Sequence, residues 1–91
     1  MKNLVAEKTL KQTIEIIKDR GEHYGGVQQN WNDTAKIWNG ILSSKLKHDI
    51  TPADVGMLMI GLKLSRLKNT PDHRDSQIDI CGYASLLGEM S

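Results

Sequence analysis

Apolar residues recur along this chain at helical spacing, and no segment alternates as a half-buried strand would. Leu10, Ile14 and Ile17 stand at i, i+4 and i+7, which predicts a first helix from about Val5 to Arg20, stopped by Gly21. The glycines in Gly21-Glu22-His23-Tyr24-Gly25-Gly26-Val27-Gln28-Gln29 predict a loop. Asn30 or Asn32 is then the expected cap of a second helix reaching Ser43 or Ser44. Its apolar face is Trp31, Ile37, Trp38, Ile41 and Leu42.

The third helix has the clearest start. Thr51-Pro52-Ala53-Asp54 supplies a capping hydroxyl, a proline at the first helical position and an acid three residues after the cap. From Val55 to Leu67 the apolar residues Val55, Met57, Leu58, Met59, Ile60, Leu62, Leu64 and Leu67 fall on nearly every side. A helix apolar all round is enclosed by other helices. Asn69-Thr70-Pro71-Asp72 ends it, and Asp72 or Asp75 is the expected cap of a fourth helix that ends near Met90. The pattern predicts an all-α fold, a compact bundle of about four helices. Because one protomer has little with which to enclose the third helix, it also predicts a homo-oligomer.

Ninety-one residues make a single helical domain, residues 1–91. Cys81 is the only cysteine, so no intramolecular disulfide and no cysteine-based zinc cage can form within one chain. The opening residues carry no apolar run of a signal peptide, and no segment reaches the ~18 apolar residues of a membrane span. These features predict a cytoplasmic protein with no membrane partner. Twelve basic and 11 acidic residues leave a net charge of +1, which gives no reason to expect DNA or RNA as a partner. Phenylalanine is absent, so Trp31, Trp38, Tyr24 and Tyr83 carry the aromatic bulk, and both tryptophans are expected mainly in the core.

Charges inside a core-like segment are costly unless paired or met by a ligand, which directs the search to Thr51–Met90. At about 100° per residue, Gly56, Met59, Lys63 and Arg66 form one stripe of the third helix. Gly56 would leave room beside it, and the two cations could converge on a phosphate or carboxylate. Alternatively, their stems pack apolar surface, or they pair with Asp75 or Asp79 as structural salt bridges. Asp75 and Asp79 can share a face of the fourth helix and, with Glu15 and Asp19, could hold Mg²⁺ through hard oxygen ligands; the competing view makes them caps and surface residues. His73, next to Arg74, lies where a helix N-terminus gathers N–H groups, so it could contact a phosphate or act as a general acid, although a lone loop histidine is more often neither. Tyr24 beside Gly25 and Gly26 could stack on a base or plug the core. No serine or cysteine lies in a nucleophile motif.

Arg20…Tyr24-Gly25…Asn30…Trp38…Thr51-Pro52-Ala53-Asp54-Val55…Lys63…Arg66…His73-Arg74-Asp75…Asp79…Gly82-Tyr83 resembles a group of small, uncharacterised phage and prophage helical proteins, over residues ~20–86. The resemblance implies functional polar positions at Arg20, Tyr24, Asn30, Asp54, Lys63, Arg66, His73, Asp75 and Asp79, and a host bacterial cytoplasm as the location. The layout is also distantly similar to all-helical nucleoside triphosphate pyrophosphohydrolases of the MazG type. Those enzymes hold Mg²⁺ with Glu-Glu-x-x-Glu on one helix and Glu-x-x-Asp on the next. Glu15-Ile16-Ile17-Lys18-Asp19 departs from the first motif, and only Asp54 stands where the second belongs.

Three readings follow. The first is a protein that needs no cofactor and sequesters a nucleotide-derived phosphate ligand, such as a cyclic nucleotide signal of antiphage immunity. In it Lys63 and Arg66 contact phosphates, Tyr24 or a tryptophan stacks on a base, Asn30 or Asp79 reads base or ribose edges, and His73, Arg74 and Arg20 are further ligand-binding positions. The second is a Mg²⁺-dependent pyrophosphohydrolase using Asp75, Asp79 and an acid from the first helix. The third is a protein-interaction module. Whether Lys63 and Arg66 find carboxylate partners within the fold separates the first from the third.

Overall fold

The computed structural model describes residues 4–23 and 26–90, with the side chains of 21–23 excepted. These residues form four α-helices and no strand: α1 (Leu4–His23), α2 (Val27–Leu42), α3 (Pro52–Asn69) and α4 (Arg74–Leu86). Short 3-10 turns follow α2 at Ser43–Lys45 and α4 at Leu87–Glu89. The all-α expectation holds. In the bundle α3 packs against α2 and α4, and α4 in turn carries α1. The result is a flattened body of 51 × 32 × 20 Å.

Local chemistry explains where the helices begin. The Asp54 N–H donates to Thr51 Oγ1 at 3.1 Å, the Thr51 N–H donates to Asp54 Oδ2 at 3.0 Å, and Pro52 opens the helix. This reciprocal box is the one expected from the sequence. The other two starts differ from expectation. Asn30 and Asn32 do not cap α2; the helix starts a turn earlier after Gly26, with the Asn30 N–H donating to Gly26 O at 3.2 Å. The earlier start lets Val27 join the inward stripe of Trp31, Ala35 and Trp38. Neither Asp72 nor Asp75 caps α4. His73 does, its Nδ1 accepting the Ser76 N–H at 3.3 Å and lying 2.8 Å from Ser76 Oγ. The first helix also runs through Gly21 to His23, since one glycine costs a helix only about 1 kcal/mol.

The core lies where α2 crosses α3. Trp31, Ala35 and Val55 are buried there, ringed by Trp38, Ile50, Met59, Tyr83, Leu86 and Leu87. Both tryptophans pack in it, as expected. Gly56 is what lets Trp31 in: a Cβ at that position would lie 2.5 and 2.6 Å from the indole carbons Cζ3 and Cη2 and 2.9 Å from Leu87 Cδ2. The room beside Gly56 is therefore filled by the protein's own indole. Asn39, one turn beyond Ala35, clasps the α2–α3 connection. Its amide donates to Ile50 O at 3.0 Å and its carbonyl accepts the Ile50 N–H at 2.7 Å.

The α1–α4 contact is built from small polar residues. Thr9, Thr13 and Ser76 are buried there, and the two threonine hydroxyls donate to Val5 O and Thr9 O at 2.9 and 2.7 Å. A hydroxyl satisfied inside its own helix can be buried at little cost. The expected face of α1 is displaced accordingly: Leu10 and Ile14 are exposed, as are Ile37 and Ile41 of α2. On α3, Met57, Leu58, Leu62 and Leu64 also remain in water, so that helix is buried along one side only. Gly56→Ala should destabilise the protein by about 1–3 kcal/mol through overpacking. Gly40→Ala, where an added Cβ meets nothing within 4 Å, should be neutral or stabilise by up to about 1 kcal/mol. Urea denaturation of both variants checks the contrast.

Candidate functional site

One face of each helix converges on a cleft of about 550 Å³. Helix α1 contributes Thr13, Ile16, Ile17 and Arg20, a stripe at i, i+3, i+4 and i+7. Helix α2 contributes Val27, Asn30, Trp31 and Thr34 at the same spacing. Gly26 just before α2, Val55 and Met59 of α3, and Ile78, Asp79, Gly82, Tyr83 and Leu86 of α4 complete the lining. The volume falls in the range of roughly 300–1,000 Å³ typical of small-molecule sites, and an apolar lining with few polar groups is also typical. Trp31 and Tyr83 form one wall as a tilted pair, with ring centroids 6.3 Å apart at 58°. A Cβ at Gly82 would lie 3.7 Å from Thr13 Cγ2, an ordinary van der Waals contact, so α1 and α4 meet here at normal packing distance.

Three of the residues picked out from the sequence meet in this cleft: Arg20, Asn30 and Asp79. The Arg20 guanidinium and the Asn30 side-chain amide have no partner among the described residues. Asp79 is engaged. Its Oδ2 lies 3.0 Å from Lys63 Nζ, and the two side chains are only 16% and 22% exposed. The pair joins α3 to α4 beside the cleft and answers the Lys63 charge from within the fold, as one of the alternatives for Lys63 required. Lys63 and Arg66 do not converge on a common anion. Neither lines the cleft, and Arg66 is exposed near the end of α3 with no side-chain partner among the described residues.

The remaining positions lie elsewhere. His73 is occupied as a helix cap. Arg74 donates from Nε and Nη2 to Gln12 Oε1 at 3.3 and 3.0 Å, tying the start of α4 to α1. Tyr24 lies outside the described residues. Asp75 is exposed and lines a separate shallow depression with Lys11, Gln12 and Glu15, whereas Asp79 faces the main cleft. The proposed Mg²⁺ ligands thus diverge, and the described residues contain no group of three acids, histidines or cysteines able to hold a metal. Among the described residues, then, no acidic cluster of the hydrolase type is assembled. Sequence reasoning missed Thr13 and Thr34 as lining residues and Asn39 as a clasp. The only sequence sign of the first was the Thr9/Thr13 pair at i and i+4 on a helix whose leucine and isoleucines drew attention to another face.

Comparison with known proteins covers the whole cleft. Residues 8–91 match the model of a family described as "Domain of unknown function (DUF6378)". The chain is 36% identical over 81 residues to the Gene 55 protein of Mycobacterium phage D29, covering 88% of this chain and 51% of that protein. It is 36% identical over 77 residues to the Gene 55 protein of Mycobacterium phage L5, covering 84% and 47% respectively. It therefore spans about half the length of the curated relatives it matches. No solved structure matches it.

The half-buried Lys63–Asp79 pair should couple the stability of α3 and α4. A double-mutant cycle with Lys63→Met and Asp79→Leu, followed by urea denaturation, should return a coupling of about 1–3 kcal/mol, between exposed and fully buried pairs. Additive effects of the two substitutions would show that the pair contributes nothing.

Proposed function

We propose that this chain, which belongs to the DUF6378 family, binds and sequesters a nucleotide-derived phosphate ligand in the cleft between its four helices. The observation that carries this reading is the meeting of Arg20, Asn30 and Asp79 with the Trp31–Tyr83 wall in one cavity of small-molecule size. A base packs against the aromatic wall, which offers flat apolar surface. The Asn30 amide supplies both donor and acceptor for a base or ribose edge. Arg20 meets a phosphate, for which its planar fork is suited. Lys63 matters indirectly: by neutralising Asp79 it keeps the cleft floor from repelling an anion.

The curated relatives are phage proteins, which fits sequestration of a host nucleotide signal in the bacterial cytoplasm, a cyclic nucleotide of antiphage immunity being the leading case. No helix among the described residues is long and apolar enough to cross a membrane. The divergence of Asp75 and Asp79 supports binding over MazG-type hydrolysis. Since the relatives are about twice as long, the proposal concerns this cleft and not everything the longer proteins do.

Thermal melts with linear and cyclic nucleotides should identify a ligand that raises Tm. A ligand at 100-fold its Kd adds about 2.7 kcal/mol to the folded state. Arg20→Ala and Asn30→Ala, both at exposed positions, should each weaken binding about tenfold or more while leaving the unliganded melt unchanged. A flat response across the panel overturns the proposal and leaves the protein-interaction reading. Release of pyrophosphate from nucleoside triphosphates with Mg²⁺ would overturn sequestration in favour of hydrolysis.

A further inference from the structure

The protomer exposes more surface than its mass requires. A folded monomer of 10.2 kDa exposes about 5,300 Å², whereas this one exposes 6713 Å². The excess of roughly 1,400 Å² is larger than the ~800 Å² that each partner buries in a standard interface. Four of the large apolar side chains left in water share the outer side of α3: Met57, Leu58, Leu62 and Leu64, exposed to 53%, 52%, 61% and 53%. On a helical projection they flank Gly61, with Ser65 one turn further on. Gly56 has a reason within the protomer, the indole of Trp31, but Gly61 has none: a Cβ there would meet nothing within 4 Å. A mid-helix glycine costs about 1 kcal/mol relative to alanine, and a close approach by another backbone offsets that cost.

The charges on this face indicate what approaches. Asp54, whose Oδ2 is held in the capping box while the carboxylate keeps its charge and its other oxygen, precedes Gly61 by seven residues (61 − 54 = 7), and Lys68 follows it by seven (68 − 61 = 7), two turns to either side. We infer that α3 pairs with α3 of a second copy of this chain, antiparallel, about a twofold axis at Gly61. That register sets Asp54 of each copy opposite Lys68 of the other, Leu58 opposite Leu64, and Met57 opposite Ser65. A parallel pairing would set Asp54 against Asp54 and Lys68 against Lys68, so the charge pattern selects the antiparallel one. The contact is isologous and closes on itself. It also leaves the cleft free, because Val55 and Met59 line the cleft from the opposite side of α3.

Sedimentation equilibrium of the 91-residue protein should give about twice 10.2 kDa. Leu58→Glu and Gly61→Leu should each raise the dimer dissociation constant at least 100-fold without loss of helicity by circular dichroism, since both positions are exposed in the protomer. Lys68→Glu should weaken the dimer several-fold, and less so at high salt. In a Cys81→Ser background, Gly61→Cys should form an intersubunit disulfide, whereas Lys36→Cys on exposed α2 should not. A 10.2 kDa wild type overturns the inference, whether water, another protein or further chain covers this face. So does an assembly that persists in Leu58→Glu, or one in which Gly61→Cys fails to cross-link.

Discussion

The structure depends on one close approach, that of the Trp31 indole to the bare backbone of α3 at Gly56. Nothing larger than hydrogen fits there, because a Cβ would lie within 2.6 Å of two ring carbons. With the indole seated, α2 lies close enough to α3 for Ala35 and Val55 to bury against each other's helix. The same ring then stands 6.3 Å from Tyr83 and becomes a wall of the cleft. The core and the candidate site share their largest side chain. A change that lifts Trp31 from α3 therefore alters both stability and the shape of the cleft.

Around that contact, polar groups divide into those the fold consumes and those it leaves free. His73, Asp54, Thr51, Asn39 and Arg74 are committed to caps, the Ile50 clasp and the Gln12 bridge. Lys63 is committed to Asp79. Arg20 and Asn30 are not committed among the described residues, and both open onto the cleft. A committed group has already lost its water and gained a partner, so recruiting it for a ligand costs the bond it makes. The free ones face no such cost, which is why the proposed binding rests on them and not on the conspicuous His73-Arg74 or Lys63–Arg66 pairs.

Helix α3 also has two distinct sides. The inner side holds Val55, Gly56, Met59 and Lys63 against the core, the cleft and α4. The outer side holds four large apolar residues around Gly61. In sequence the two run together as a helix apolar all round. Their different glycines separate them, one filled by an indole of the same chain and the other open.

By itself, the sequence determined the helices and their sharpest boundary. Apolar spacing is a local signal, and the Thr51–Asp54 box is made within four residues, so neither needed the rest of the chain. It also identified Arg20, Asn30 and Asp79 as positions of interest. Only the tertiary structure decided which face of each helix turns inward. The Leu10–Ile14 and Ile37–Ile41 pairs point to water, while Thr9 and Thr13 are buried, because the hydroxyls are satisfied by their own helix and their small size admits α4. It likewise decided that Lys63 meets Asp79, that Asp75 parts from Asp79, and that four stripes from four helices enclose one cavity. Those outcomes depend on how helices distant in sequence pack, and no local spacing encodes that.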